Sequence, residues 1–394
     1  MLVDNVYIPK LRFKNFSEKV SLKTLDDVFD LRNGYTPSKS NILFWNDGTI
    51  SWFRIDDIRL NGQILNSSLV KVTKLGIKNK LFKSNSIILS TTATIGVHAL
   101  ITTDFICNQQ FTVFEIKNEY QNIINPIFSF YYFFRVANWC KRNIKSSSFP
   151  SIECKYLKKH TFPNVSLNEQ NRIAFFFTLL DQQISLVKNK LKSIEHFFNF
   201  FLNYFFSKKN KKQFGHEKIN MFTLNQIAKI TKGDQVNKSN LKSAGKYYYQ
   251  NGGIEPSGWI DKFNRNPGTI SINEGGNCGF VKWHNDPFWS GGHLYTLEIT
   301  SKIHLHKYLY FNLKANEKQI SKLKTGTSIS NIQKNELEKF KIYCITNINV
   351  QQKIVNLLVE IDNVKNLIRK KIYLLKDKKK FYLKNLFSFI KTNF

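Results

Sequence analysis

The sequence predicts an α+β fold: two duplicated, mixed α/β domains separated by two long helices that form an antiparallel coiled-coil rod. Three observations carry this. The stretch "NEQNRIAFFFTLLDQQISL" at 168–186 returns as "NVQQKIVNLLVEIDNVKNLI" at 349–368, with Asn168, Gln170, Ile173 and Asp181 aligned on Asn349, Gln351, Ile354 and Asp362 at an offset of 181. Three further segments repeat in the same order. "TLDDVFDLRNG" (24–34) matches "TLNQIAKITKG" (223–233), "VFEI" (113–116) matches "TLEI" (296–299), and "SFPSIECKYL" (148–157) matches "SISNIQKNEL" (328–337). A repeat this long is a duplicated domain and not a solenoid unit. Finally, a strict seven-residue apolar period fills the first helix.

Length and composition fit this plan. A chain of 394 residues is too long for one ordinary core. Hydrophobic residues are 42% and aromatics 14%, which is enough to pack two domains and excludes a disordered composition. The expected boundaries are 1–165 for the first domain, 166–207 for the first spacer helix, 208–218 for a basic linker, 219–347 for the second domain and 348–391 for the second spacer helix.

Each domain opens with short β-prone runs such as "SIILSTT", "QFTVFEI", "GTISI" and "LYTLEI", broken by Gly, Asn and Asp turns. The drift in offset gives the first domain about 18 extra residues, mostly between Gly34 and Thr91. The helix follows. Ile173, Leu180, Val187, Ile194 and Phe201 fall at steps of seven, and Phe177, Ile184, Leu191, Phe198 and Phe205 four residues after each. From Ile173 to Phe205 such a helix spans about 50 Å. The second copy is looser: Ile354, Ile361, Ile368, Leu375 and Tyr382 keep one seam, Leu358, Ile372 and Leu386 partly fill the other, and Lys365 and Lys379 intrude. A lone helix would expose this stripe. Two in one chain can bury each other; the alternative is a helix packed on its own domain.

The net charge of +31 calls for an anionic partner, nucleic acid first and an anionic membrane second, unless an AT-rich genome has inflated the lysines; with two heads on one rod the nucleic acid is most simply duplex DNA. Five scattered cysteines without CxxC spacing suggest reduced thiols and no zinc site. "MLVDNVYIPKLRF" has no apolar signal region, and "IFSFYYFF" (127–134) is too short to span a bilayer. A soluble, cytoplasmic chain that makes no use of a membrane is expected.

No catalytic constellation is expected. "NPIF" (125–128) and "DPFW" (286–289) approach an adenine-methyltransferase motif, but each lacks the second Pro, and no glycine-rich S-adenosylmethionine loop accompanies them. No phosphate loop of the GxxxxGK[ST] type is present. His98, His284 and His293 lack metal-ligand spacing, and Cys278 has no His/Asp partners in pattern.

Groups suited to base edges and phosphates do occur in turn-like contexts. In the first domain these are Arg54, Arg59, Thr91, Thr92, Thr94, Gln109, Gln110, Lys145, Ser146 and Ser147. In the second they are Tyr249, Gln250, Asn251, Asn273, Asn277, Lys324, Thr325, Thr327 and Ser328. "KSSS" and "KTGTS" hold equivalent places just before each helix. Polar turns that are merely solvated are the competing reading. The helix-seam residues are Ile173, Phe177, Leu180, Ile184, Val187, Leu191, Ile194, Ile354, Leu358, Ile361 and Ile368.

"PKLRF" (9–13), the helix start "LNEQNRIA" (167–174) with its second version "NVQQKIV", "YYYQNGGIEPSGWIDKFN" (247–264) and "INEGGNCGFV" (272–281) together resemble the specificity subunit of type I restriction–modification systems. The resemblance covers nearly the whole chain. It departs at Val350, which stands where the first helix has Glu169, and in the Pro163 that precedes only the first helix. It implies two target-recognition domains reading a split double-stranded DNA target, with no catalysis, metal or cofactor in this chain. It also implies two methyltransferase (modification) subunits and motor–nuclease restriction subunits as partners. S-adenosylmethionine, ATP and Mg²⁺ would sit on those partners. A self-contained methyltransferase or nuclease with unorthodox motifs is the alternative.

Overall fold

The computed structural model describes residues 7–78, 80–144, 150–206, 219–326 and 330–391. The chain divides into two compact units, Met1–Leu186 with Ile372–Phe394, and Val187–Lys371. The long helices run Leu167–Phe206 and Ile348–Leu386. Each unit therefore holds one head and half of each helix. A division at the head–helix junctions, as the boundaries read from the sequence would have it, cuts across these units.

In the first unit the core sheet has five strands in the order Phe29–Asn33, Phe111–Ile116, Ser86–Ser90, His98–Ile101 and Ile64–Leu65. Neighbours among the first four are antiparallel and the last joins in parallel. The middle strand, "SIILS", is buried along its whole length, which explains its continuous apolar reading. A smaller sheet pairs Ile50–Phe53 with Phe105–Cys107 in parallel. "IFSFYYFF" lies in the helix Pro126–Arg142. Asn125 caps it by accepting from the Ile127 and Phe128 N–H groups, and Pro126 occupies the first turn. The apolar run is core: Phe29 meets Phe114, Phe133 and Phe162 edge-on at 5.3–6.1 Å between centroids.

The second unit repeats the plan. Its sheet runs Ala228–Lys232, Leu294–Ile299, Thr269–Asn273, Val281–His284, all antiparallel. A smaller sheet again pairs in parallel, Tyr247–Gln250 with Phe288–Ser290. The additional residues of the first unit build the helix Ile55–Asn61 and the edge strand Ile64–Leu65. Gly34 and Gly233 close the repeated "TLDDVFDLRNG" and "TLNQIAKITKG" segments for one reason. A Cβ at Gly34 would collide with the carbonyls of Cys107 and Asn108, and one at Gly233 with those of Ser290 and Gly291.

The repeated helix starts also have a physical cause. Gln170 is buried; its Nε2 donates to the Ile123 and Val165 carbonyls and its Oε1 accepts from the Asn125 N–H, at 2.8–2.9 Å. Gln351 is buried and makes the same three bonds, to the Ile303 and Ile345 carbonyls and from the Leu305 N–H, also at 2.8–2.9 Å. Each glutamine fastens the start of a long helix to the loop that leads into the helix of its own head.

Within each unit the two long helices run antiparallel. In the first, Phe176 meets Tyr382 at 4.9 Å and Asp181 binds Lys379 at 2.6 Å. In the second, Glu195 binds Arg369 at 2.7 Å and Phe198 lies under Lys365. Burial along the seam is graded: Ile173, Phe177, Leu180, Ile184, Ile354, Leu358 and Ile368 are buried, but Val187, Leu191, Ile194 and Ile361 only half so. Next to a head the seam gains a third wall of side chains, as where Phe177 meets Tyr131. The lysines are not intruders without partners, since each packs on an aromatic ring and holds a carboxylate.

"PKLRF" ties the chain's ends together within the first unit. Tyr7–Pro9 pairs with Phe389–Lys391, and Arg12 forks onto buried Glu169 at 2.9 and 2.6 Å. That accounts for Glu169. The region at a comparable place before the second head, 208–218, lies outside the described residues, and Val350, at the place of Glu169, packs against the second unit's apolar core. Among the described residues no helix is long and apolar enough to cross a membrane.

Candidate nucleic-acid interface

The strands Ser86–Ser90 and Thr269–Asn273 each end in a tight turn, 91–96 and 274–279. An offset of 183 superposes them in sequence, "TTATIG" on "EGGNCG". Ala93 (φ 56°) stands where Gly276 (φ 64°) does, and Gly96 (φ 85°) where Gly279 (φ 81°) does. The last residue of each turn, a glycine in both, abuts a helix. A Cβ at Gly96 would lie 2.8 Å from the Ala137 carbonyl, and one at Gly279 2.6 Å from the Ser321 nitrogen. The segment before each long helix is stitched to the same turn: the Ile152 N–H donates to the Thr91 carbonyl and the Ile332 N–H to the Glu274 carbonyl, both at 2.9 Å. Two loops recognised separately in the sequence are thus one construction, built twice.

In the second unit this turn borders an open cleft of about 910 Å³ lined by Ile254, Asn277, Cys278, Lys318, Lys322 and Lys324. None of the three lysines makes an ion pair among the described residues. The one carboxylate on the wall, Glu317, is held by Lys314 and by the Val281 N–H. The cleft is therefore a cationic surface beside exposed Asn277. Beneath it, Glu274 accepts from Lys232 at 2.7 Å and from the Tyr295 hydroxyl at 3.1 Å. Burial, and then Glu274, pushes the Tyr295 hydroxyl up, so it stays a donor.

The residues singled out in the sequence divide by position. Thr91, Tyr249, Gln250 and Asn273 are buried and bonded internally. Thr91 meets the Thr112 hydroxyl at 3.1 Å, Gln250 donates to the Gly253 carbonyl and accepts from Lys282, and Asn273 donates to the Gly252 carbonyl. They shape the loops and present no side chain to solvent. Arg59, Gln109, Asn277, Lys324 and Thr325 are exposed; Arg54, Thr92, Thr94, Gln110 and Asn251 are half-buried. Arg54 lies over Trp52, and Asn251 accepts from the His293 N–H. Lys145, Ser146 and Ser147, and Thr327 and Ser328, lie outside the described residues, as does the linker 208–218. Lys318 and Lys322 were not singled out, and no motif marks them; only the fold brings them to Asn277.

The enzyme-like fragments have structural roles. "NPIF" is the helix cap at Asn125, and Phe288 of "DPFW" begins a strand. His284 is clamped between the Ser271 and Tyr248 hydroxyls, and burial holds it down at about 3. Cys278 Sγ donates to the Ser330 carbonyl at 3.0 Å. Among the described residues no group of three or more His, Cys, Asp or Glu could hold a metal.

The family model described as "Type I restriction modification DNA specificity domain" matches the chain twice, at residues 17–196 and 216–376. The chain belongs to this family. Each match ends inside a long helix, so the repeated piece is a head with the first part of its helix. The chain is 32% identical to the EcoprrI type I restriction enzyme specificity subunit of Escherichia coli over 368 residues, 87% of this chain and 90% of that one. A Mycoplasma genitalium protein described as a "putative type I specificity subunit" is 36% identical over 141 residues, 36% of this chain and 37% of that one. The solved S subunit of a type I restriction-modification system from M. genitalium shares the fold, with a TM-score of 0.63 at 19% identity, covering 96% of this chain and 99% of that one. A chain solved in work on complex assembly of the type I R-M system gives 0.60 at 19% identity, covering 93% and 97%.

Proposed function

We propose that this chain is the DNA-recognition subunit of a type I restriction–modification complex and carries no catalysis of its own. Each unit reads one part of a split duplex target. Two methyltransferase subunits dock on the chain, and motor–nuclease subunits join that assembly in the cytoplasm. S-adenosylmethionine, ATP and Mg²⁺ belong to the partners. The observation that carries the reading is the turn built twice, which in the second unit borders three unpaired lysines. Lysines there would hold phosphates, while exposed Asn277, and Gln109 in the first unit, offer amide groups to base edges.

The test is a methylation map of DNA made with the chain and its methyltransferase partner. A split motif with a fixed gap is expected. Replacing residues 219–347 by another family member's head should exchange one half and keep the gap. One continuous motif, or a swap that alters both halves, defeats the reading. So would methyl transfer or cleavage by the chain alone with DNA, Mg²⁺ and S-adenosylmethionine.

A further inference from the structure

At the offset of 181, Ile184 and Phe198 of the first long helix correspond to Lys365 and Lys379 of the second. One helix thus has two apolar side chains where the other has two lysines. Asp181 and Asp362 also correspond. In the first unit, Lys379 binds Asp181 at 2.6 Å and lies 5.3 and 5.0 Å from the Tyr131 and Phe134 rings, while Ile184 is buried nearby on the seam. In the second, Lys365 binds Asp362 at 2.8 Å and sits 3.7 Å over the Phe198 ring. Each unit therefore holds one lysine, one carboxylate and one apolar side chain at these equivalent places.

That balance exists only when a helix of the first kind meets one of the second kind. Two helices of the second kind would bring Lys365 and Lys379 together around a single Asp362, at a place where Lys365 is only 7% exposed. One ammonium would be buried without a counter-charge, a heavy penalty. Two helices of the first kind would set Phe198 beside Ile184, an apolar contact, and leave Asp181, whose side chain is 39% exposed, to water. We infer that the two lysines choose the helix partner. The second long helix accepts a helix of the first kind and rejects a second copy of itself, whereas the first helix accepts either.

The full-length chain can be made to display both forbidden and allowed seams. Phe198→Lys recreates, in the second unit, the meeting of two second-kind helices. Lys379→Phe recreates, in the first unit, the meeting of two first-kind helices. Hydrogen exchange of helix amides in each unit, read against urea, is the measurement. Phe198→Lys should raise opening of the second unit by at least about tenfold, whereas Lys379→Phe should change the first by less than about threefold. Adding Lys365→Ile to Phe198→Lys gives the second unit the first unit's arrangement and should restore protection. The inference fails if Phe198→Lys leaves protection unchanged, if Lys365→Ile does not rescue it, or if Lys379→Phe is as damaging as Phe198→Lys.

Discussion

Gln351→Ala is the sharpest probe of how the heads are fastened to the long helices. The substitution removes one acceptor and two donors at a fully buried position. The Leu305 N–H is left without its partner, and the Ile303 and Ile345 carbonyls lose theirs. A buried polar group left unsatisfied costs about 1–3 kcal/mol, and three that share one site and relax together should cost about 3–5 kcal/mol. The small cavity adds to this. Urea unfolding followed by hydrogen exchange in each unit is the assay. The second unit should lose that stability and the first should keep its own. Gln170→Ala should show the mirror result. Gln352→Ala is the control: Gln352 is exposed and, among the described residues, its side chain bonds to Asn356 Oδ1 on its own helix, so its loss should stay within about 0.5 kcal/mol. If Gln351→Ala unfolds with the wild type, the three bonds are not what the repeated glutamine is kept for.

Arg12→Ala leaves the Glu169 carboxylate buried without its guanidinium and should cost the first unit about 3 kcal/mol, with early exchange in the strand Phe389–Lys391; equal protection there would refute it. His98 is buried and held down at about 4 mainly by desolvation, so the unfolded chain takes up its proton first as pH falls. The first unit should lose stability between about pH 6.5 and 4, at about 1.4 kcal/mol per unit for this one group, and His98→Leu should flatten that slope. Replacing Lys318, Lys322 and Lys324 together by Ala should lower the salt dependence of duplex binding by up to about 0.9 log units per lysine, with no change in base preference; an unaltered slope would place the phosphates elsewhere.

Much of the fold could be read from the chain because the repeated residues are the ones with internal duties. Gln170 and Gln351 fasten the helix starts, and Gly34 and Gly233 each admit a neighbouring carbonyl, so both copies share these residues. The candidate interface was harder to see. Of the six positions in the matched turns, only Gly96 and Gly279 are identical, because the turn preserves a backbone path and not side chains. Ala93 adopts positive φ without being glycine, so no pattern of glycines betrays it. Polar residues in turns were also ambiguous by nature. Gln250 and Asn273 look like base readers, yet both bond to loop carbonyls, at Gly253 and Gly252. The duties of Lys365 and Lys379 lie with side chains distant in sequence, such as Phe198 and Asp181, and no local pattern shows them.

The same comparison bears on what the two heads would recognise. On the proposed reading, residues at equivalent backbone positions of the two turns face DNA in equivalent ways. Yet Thr92, Ala93 and Thr94 offer hydroxyls and methyls where Gly275, Gly276 and Asn277 offer bare backbone and an amide. Hydroxyls and methyls suit thymine's methyl or either strand's acceptors, whereas an amide suits the paired donor and acceptor of adenine. The first head also carries the additional helix Ile55–Asn61 after its strand Ile50–Phe53, with Arg59 exposed on it, and the second head, among its described residues, has no helix between the equivalent strand Tyr247–Gln250 and Thr269–Asn273. A scaffold kept by internal bonds therefore presents two chemically different surfaces. The two halves of the target should be unlike in sequence, and exchanging "TAT" at 92–94 for "GGN" should alter one half alone. A methylation map showing two identical inverted halves would mean that these turns do not do the reading.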